Sequence, residues 1–99
     1  DMLGLCGMDS FNWTIKAGTR MTTGLKWMSK GTEVQISVNV DPSDCTYWFG
    51  LMDPNDNCNV FERKGAAGGA VTTTSTGFHR IMVENRSKKE ITAVGSYNY

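Results

Sequence analysis

Little in this chain could do covalent chemistry. It has a single histidine, His79, and the nearest serines, Ser75 and Ser87, do not lie in the strand-to-helix turn that presents a nucleophile. No spacing of histidine, cysteine and carboxylates matches a zinc site, and no glycine-rich loop leads from a strand into a helix to hold phosphate. The expectation is a protein that is not an enzyme and carries no cofactor. Charge of one sign is missing too: ten basic and ten acidic residues cancel, which removes the electrostatic case for nucleic acid or an anionic membrane as the main partner. No apolar run is long enough to cross a bilayer, and no stretch carries the period of an amphipathic helix. Nothing at the start reads as a signal peptide, and the opening on Asp1 fits a processed mature form or an excised domain.

What is present is alternation. In Glu33 to Val40, Val34, Ile36, Val38 and Val40 alternate with polar residues, the pattern of a strand with one dry face and one wet face. Phe11, Trp13 and Ile15 repeat the pattern, and Met21, Thr23, Leu25 and Trp27 are expected to share one face of a second strand, with Trp13 and Trp27 inside. Two Asp-Pro turns, at Asp41-Pro42 and Asp53-Pro54, bracket a strand from Thr46 to Met52 that is apolar on both faces and therefore either central or showing one aromatic to solvent. A short strand follows around Val60 and Phe61. Gly65-Ala66-Ala67-Gly68-Gly69 reads as a flexible loop and Val71 to Ser75 as a short edge strand. Phe78 to Asn85 and Ile91 to Tyr99 close the chain. About eight short strands with regular turn signals predict an all-β fold, an antiparallel two-sheet sandwich or jelly roll. Ninety-nine residues allow one domain, over residues 10–99, preceded by an apolar arm at residues 1–9.

Three cysteines in a short β-chain rich in threonine, glycine and asparagine point to a secreted or cell-surface protein with a disulfide, and the odd count leaves one thiol over. Cys45 and Cys58 would lie at opposite ends of a strand roughly 20 Å long, too far apart for a bond that needs Cα atoms within about 7 Å. Cys6 with Cys58 is the expected intrachain pair, unless a bend at Gly50 brings Cys45 to Cys58. Asp53, Asn55 and Asp56 cluster oxygens of the kind calcium takes, although Pro54 already accounts for them as a turn. Asn12-Trp13-Thr14 and Asn85-Arg86-Ser87 match the N-glycosylation pattern, and neither is expected to be used.

Tyr47 and Trp48 cannot both point inward on a regular strand, so one of them is a candidate for contact with a sugar ring or a partner protein; Tyr97 and Tyr99 are candidates of the same kind. Leu3, Leu5, Cys6 and Met8 form an arm suited to docking on a neighbouring copy. The residues thus support a non-catalytic interaction module of the cell exterior, a self-assembling subunit that docks through its arm, or a small carbohydrate-binding module. A fourth reading, a secreted toxin or inhibitor, is not excluded by the residues.

The run Gly77-Phe78-His79-Arg80-Ile81-Met82-Val83-Glu84-Asn85-Arg86-Ser87, followed by Ile91-Thr92-Ala93-Val94-Gly95-Ser96-Tyr97, resembles the closing hairpin of secreted bacterial β-sandwich modules of the pre-peptidase C-terminal type. The resemblance covers about the last quarter of the chain and lacks that family's acidic strand motif. It implies an accessory extracellular module and transfers no binding residue.

Overall fold

The structure, a computed structural model, describes residues 9–99. Among them run nine strands and no helix: β1 Asp9–Ile15, β2 Arg20–Thr22, β3 Lys26–Met28, β4 Glu33–Asp41, β5 Thr46–Met52, β6 Cys58–Lys64, β7 Ala66–Thr72, β8 Gly77–Asn85 and β9 Ile91–Asn98. They form two antiparallel sheets, one in the order β1-β9-β4-β7 and the other β2-β8-β5-β6, with β3 also paired to β8. The expected two-sheet sandwich is the fold. Asp9, placed by the sequence in the arm, is the first residue of β1 and pairs with Tyr97. The arm residues Leu3, Leu5, Cys6 and Met8 lie outside the described residues.

The alternation in β4 does what its period requires. Val34, Ile36, Val38 and Val40 are buried while Glu33, Gln35, Ser37 and Asn39 are exposed. Across the sandwich they meet Tyr47, Phe49 and Leu51 of β5 and Ile81 and Val83 of β8, each buried. Burial of such side chains is worth on the order of 1.5–3 kcal/mol apiece, which sets the strand register.

Two strands depart from the sequence expectation, and each departure has a cause. Between the pairs Thr22↔Met82 and Lys26↔His79 the chain spends three residues, Thr23, Gly24 and Leu25, where β8 spends two, Arg80 and Ile81. That extra residue is a bulge, and it breaks the expected single strand into β2 and β3 on opposite parity. Thr23 stays on the ladder by donating its N–H to Ile81 O and accepting the Ile81 N–H at Oγ1. Residues 66–69, expected to be a flexible loop, belong instead to β7, which pairs with β4 from Glu33↔Thr72 to Asn39↔Ala66. Small residues are required there because the Phe61 ring covers the strand: a Cβ on Gly69 would fall 2.6 Å from Phe61 Cε2. The edge strand accordingly ends at Thr72, and residues 73–76 form the connecting loop.

At one end of the sandwich the fully buried Asn85 ties three segments together. Its Nδ2 donates to Ile15 O at 3.0 Å and Lys89 O at 2.6 Å, and its Oδ1 accepts from Ser87 N and Ser87 Oγ. This amide belongs to one of the two glycosylation patterns, and burial removes it from use as an acceptor. Replacing it strands several buried polar groups at once. Asn85→Ala is therefore expected to lower stability by about 3 kcal/mol in urea denaturation, against less than about 0.5 kcal/mol for the exposed Asn12→Ala.

Candidate interaction surface

The aromatic residues singled out by sequence separate cleanly. Tyr47 is fully buried and donates its hydroxyl to Gly65 O at 2.8 Å, so it packs the core and offers no contact surface. Burial pushes its phenol pKa up, more than the neighbouring Arg63 pulls it down. Tyr97 is likewise buried, on the inner face of β9, because its parity matches that of Ile91 and Ala93. Tyr99 is exposed and stacks on Tyr97 with ring centroids 6.4 Å apart. Trp48 lies on the outer face of the five-stranded sheet, but one ring face is covered by the Arg86 guanidinium at 4.1 Å and its Nε1 donates to Glu62 Oε1.

Arg86 belongs to a row of charges on that outer face. It donates to Glu84 Oε2 at 2.7 Å, while Arg20 donates through Nε and Nη2 to Glu84 Oε1 at 2.9 and 2.6 Å. Burial alone would raise the Glu84 pKa, but the hydrogen bonds from Arg20 and then Arg86 outweigh it and hold the carboxyl below its ordinary value.

The cysteines and the acidic turn also find their places. β5 runs unbroken past Gly50, so Cys45, buried, and Cys58, exposed, stand at opposite ends and are not bonded to each other. No disulfide forms among the described residues, and the pairings of Cys6 lie outside them. The Asp53 carboxylate faces its own turn, accepting from Asn55 N at 2.8 Å and Asn57 N at 2.9 Å, while Asp56 adopts a left-handed φ of 64°. Nowhere among the described residues do three histidine, cysteine or acidic groups converge as metal ligands do.

The surface that the sequence reading missed is apolar. Leu25, Trp27 and Phe78 are 54, 58 and 50% exposed. Trp27 pairs directly with Phe78, their rings edge to face with centroids 5.1 Å apart. The bulge at 23–25 is the cause: by reversing parity it turns Trp27, expected in the core, out to solvent beside Phe78. Beside them Leu25, Pro54 and Phe78 line a hollow of about 340 Å³ edged by Asp53, Asp56 and Arg80. Contiguous exposed aromatic surface of this kind marks contact sites. Gly24, isolated within a strand pattern, was the available signal, since such a glycine often marks a bulge.

The chain shares its architecture with a lysozyme inhibitor. PliG of Aeromonas hydrophila, a periplasmic lysozyme inhibitor of g-type lysozyme, superposes with a TM-score of 0.64 at 11% identity, over 93% of this chain and 85% of that one. No family model and no curated protein matches the sequence. At that identity the likeness is one of fold.

Glu84 makes the outer face sensitive to acid. Because its folded pKa is lowered, the stability it contributes is complete above the ordinary value of about 4.5 and is lost as pH falls through the lower folded value. Glu84→Gln is expected to be less stable than wild type at neutral pH, with the gap closing below about pH 4.5, as measured by urea denaturation at several pH values.

Proposed function

We propose that the chain is a non-catalytic module of the cell exterior or periplasm that acts by binding another protein, and that a g-type lysozyme is the partner to test first. The observation that carries this reading is the Leu25, Trp27 and Phe78 patch, its two rings held on paired strands. Two large aromatic rings in a fixed arrangement supply contact area with little entropy left to lose on binding. The PliG-like fold supports the choice of partner. A binding role also accords with the placing of His79, which is buried with Nδ1 against its own strand's Gly77 carbonyl and is not hydrogen-bonded to a serine or cysteine among the described residues.

In a cell-wall lysis assay with g-type lysozyme, the wild-type protein is expected to inhibit. Trp27→Ala and Phe78→Ala should each weaken inhibition about tenfold or more while leaving the melting temperature nearly unchanged, since half of each side chain is already in water. Absence of inhibition by the wild type sinks the lysozyme reading, and variants as potent as wild type sink the assignment of the patch.

A second reading, self-assembly, is favoured by one edge of the sandwich. β7 ends its sheet with Ala66, Ala67, Gly68, Gly69, Ala70, Val71 and Thr72 and carries no charge, whereas β6 ends the other sheet with Glu62, Arg63 and Lys64. Uncharged, flat edges accept a further strand. If copies pair there, light scattering should find a dimer that Gly68→Lys dissociates; a monomer at all concentrations rules it out.

A further inference from the structure

At the end of the sandwich where β5 turns into β6, a cleft of about 170 Å³ opens over Leu51 and Val71, walled by Asp53, Asn59, Thr74 and His79. His79 is 1% exposed and stands on the inner face of β8. Its Nδ1 lies 2.9 Å from Gly77 O. A carbonyl oxygen only accepts, so Nδ1 carries a proton, and in the neutral form of an imidazole so protonated Nε2 keeps the lone pair. Nε2 is buried and has no hydrogen-bond partner among the described residues. Proteins seldom leave such an atom unanswered, and a lone pair there is answered by a donor.

Asp53 settles the charge of that donor. It follows the last ladder pair, Met52↔Arg80, and so stands next to His79 across the strands. Its Oδ1 is occupied by the N–H groups of Asn55 and Asn57, while Oδ2 receives only a long contact of 3.4 Å from Asn57 Nδ2. The turn's amide donors, the Asn57 N–H first, hold the carboxyl ionised by lowering its pKa. The cleft thus lies against an imidazole whose Nε2 lacks a donor and beside a carboxylate with acceptor capacity to spare. The carboxylate repels an anion. A sugar would ordinarily find a flat aromatic ring to stack on, and none lines this cleft. The volume equals that of about six waters at roughly 30 Å³ each, room for a group of a few heavy atoms.

We infer that this cleft binds a compact cationic hydrogen-bond donor, an alkylammonium or guanidinium group, which donates to His79 Nε2 with Asp53 as its counter-charge. The group comes either from a free small amine or from a basic side chain of a partner protein. The inference does not rest on the aromatic patch, which lies on the far side of the Asp53 turn.

Nitrogen-15 NMR of the His79 ring tests it, at about pH 8 where imidazole is in general neutral. The ring is expected to show the Nδ1–H tautomer. Methylguanidinium and methylammonium chloride should shift Nε2 saturably, while potassium chloride at equal ionic strength and glycerol should not. Asp53→Asn should weaken the cation at least fivefold. A blocked Gly-Arg-Gly peptide that saturates at lower concentration than methylguanidinium assigns the site to a partner's side chain, and one that saturates only at higher concentration assigns it to a free amine. An Nε2–H tautomer, no saturable shift with any cation, or an equal response to glycerol overturns the inference. Because lysozyme inhibition is not measured, this result stands or falls apart from the reading of the patch.

Discussion

Three residues of the chain, Thr23, Gly24 and Leu25, cover a stretch of β8 that only two residues occupy, and the exposed surface follows from that mismatch. A strand has a period of two, so one surplus residue sends every later side chain to the other face. Without it Trp27 would join Met28's side of the sheet and Phe78 would stand alone in solvent. With it, Met28 is buried, Trp27 is outside, and two aromatic rings meet edge to face beside Leu25. Arg80 lies 3.4 Å from both Thr22 Oγ1 and Thr23 O, tying the bulge to β8.

β8 is the spine on which the other features hang. Its outward residues carry Phe78 of the patch and Glu84 of the ion row, and its inward residues carry His79 of the cleft and Ile81 and Val83 of the core. At its end Asn85 clamps β1 and the turn into β9. A strand paired on both sides, to β5 and to β2 and β3, has its backbone fixed by two ladders, so the groups it presents are held in place before any partner arrives.

The likeness to PliG is one of strand architecture, and few side chains are shared at 11% identity. Sandwiches of this kind serve many roles because the core needs only apolar residues at alternate positions, while the turns and outer faces are free to differ. The bulge, the paired rings and the acidic turn between hollow and cleft are therefore what an account of this chain's role must be built on. The last strands contribute Phe78 and His79 through β8.

How much could be read beforehand follows from the range of the interactions involved. The period of β4, the Asp-Pro turns around β5 and the parity of β8 are local, so the chain itself determined an all-β sandwich and much of its core, while the separation of Cys45 from Cys58 waited on β5 running straight past Gly50. The face of Trp27 depends on counting residues against a strand some fifty positions away, and the residues of β7 make sense as a strand only once the Phe61 ring is seen to cover Gly69. Tyr47 and Trp48 were equivalent neighbours in sequence until the second sheet and the Arg86 side chain assigned one to the core and the other to a half-covered surface. Local periodicity decided the dry face of strands that pair without interruption, and long-range packing decided the rest, Trp27, Tyr47 and Trp48 among them.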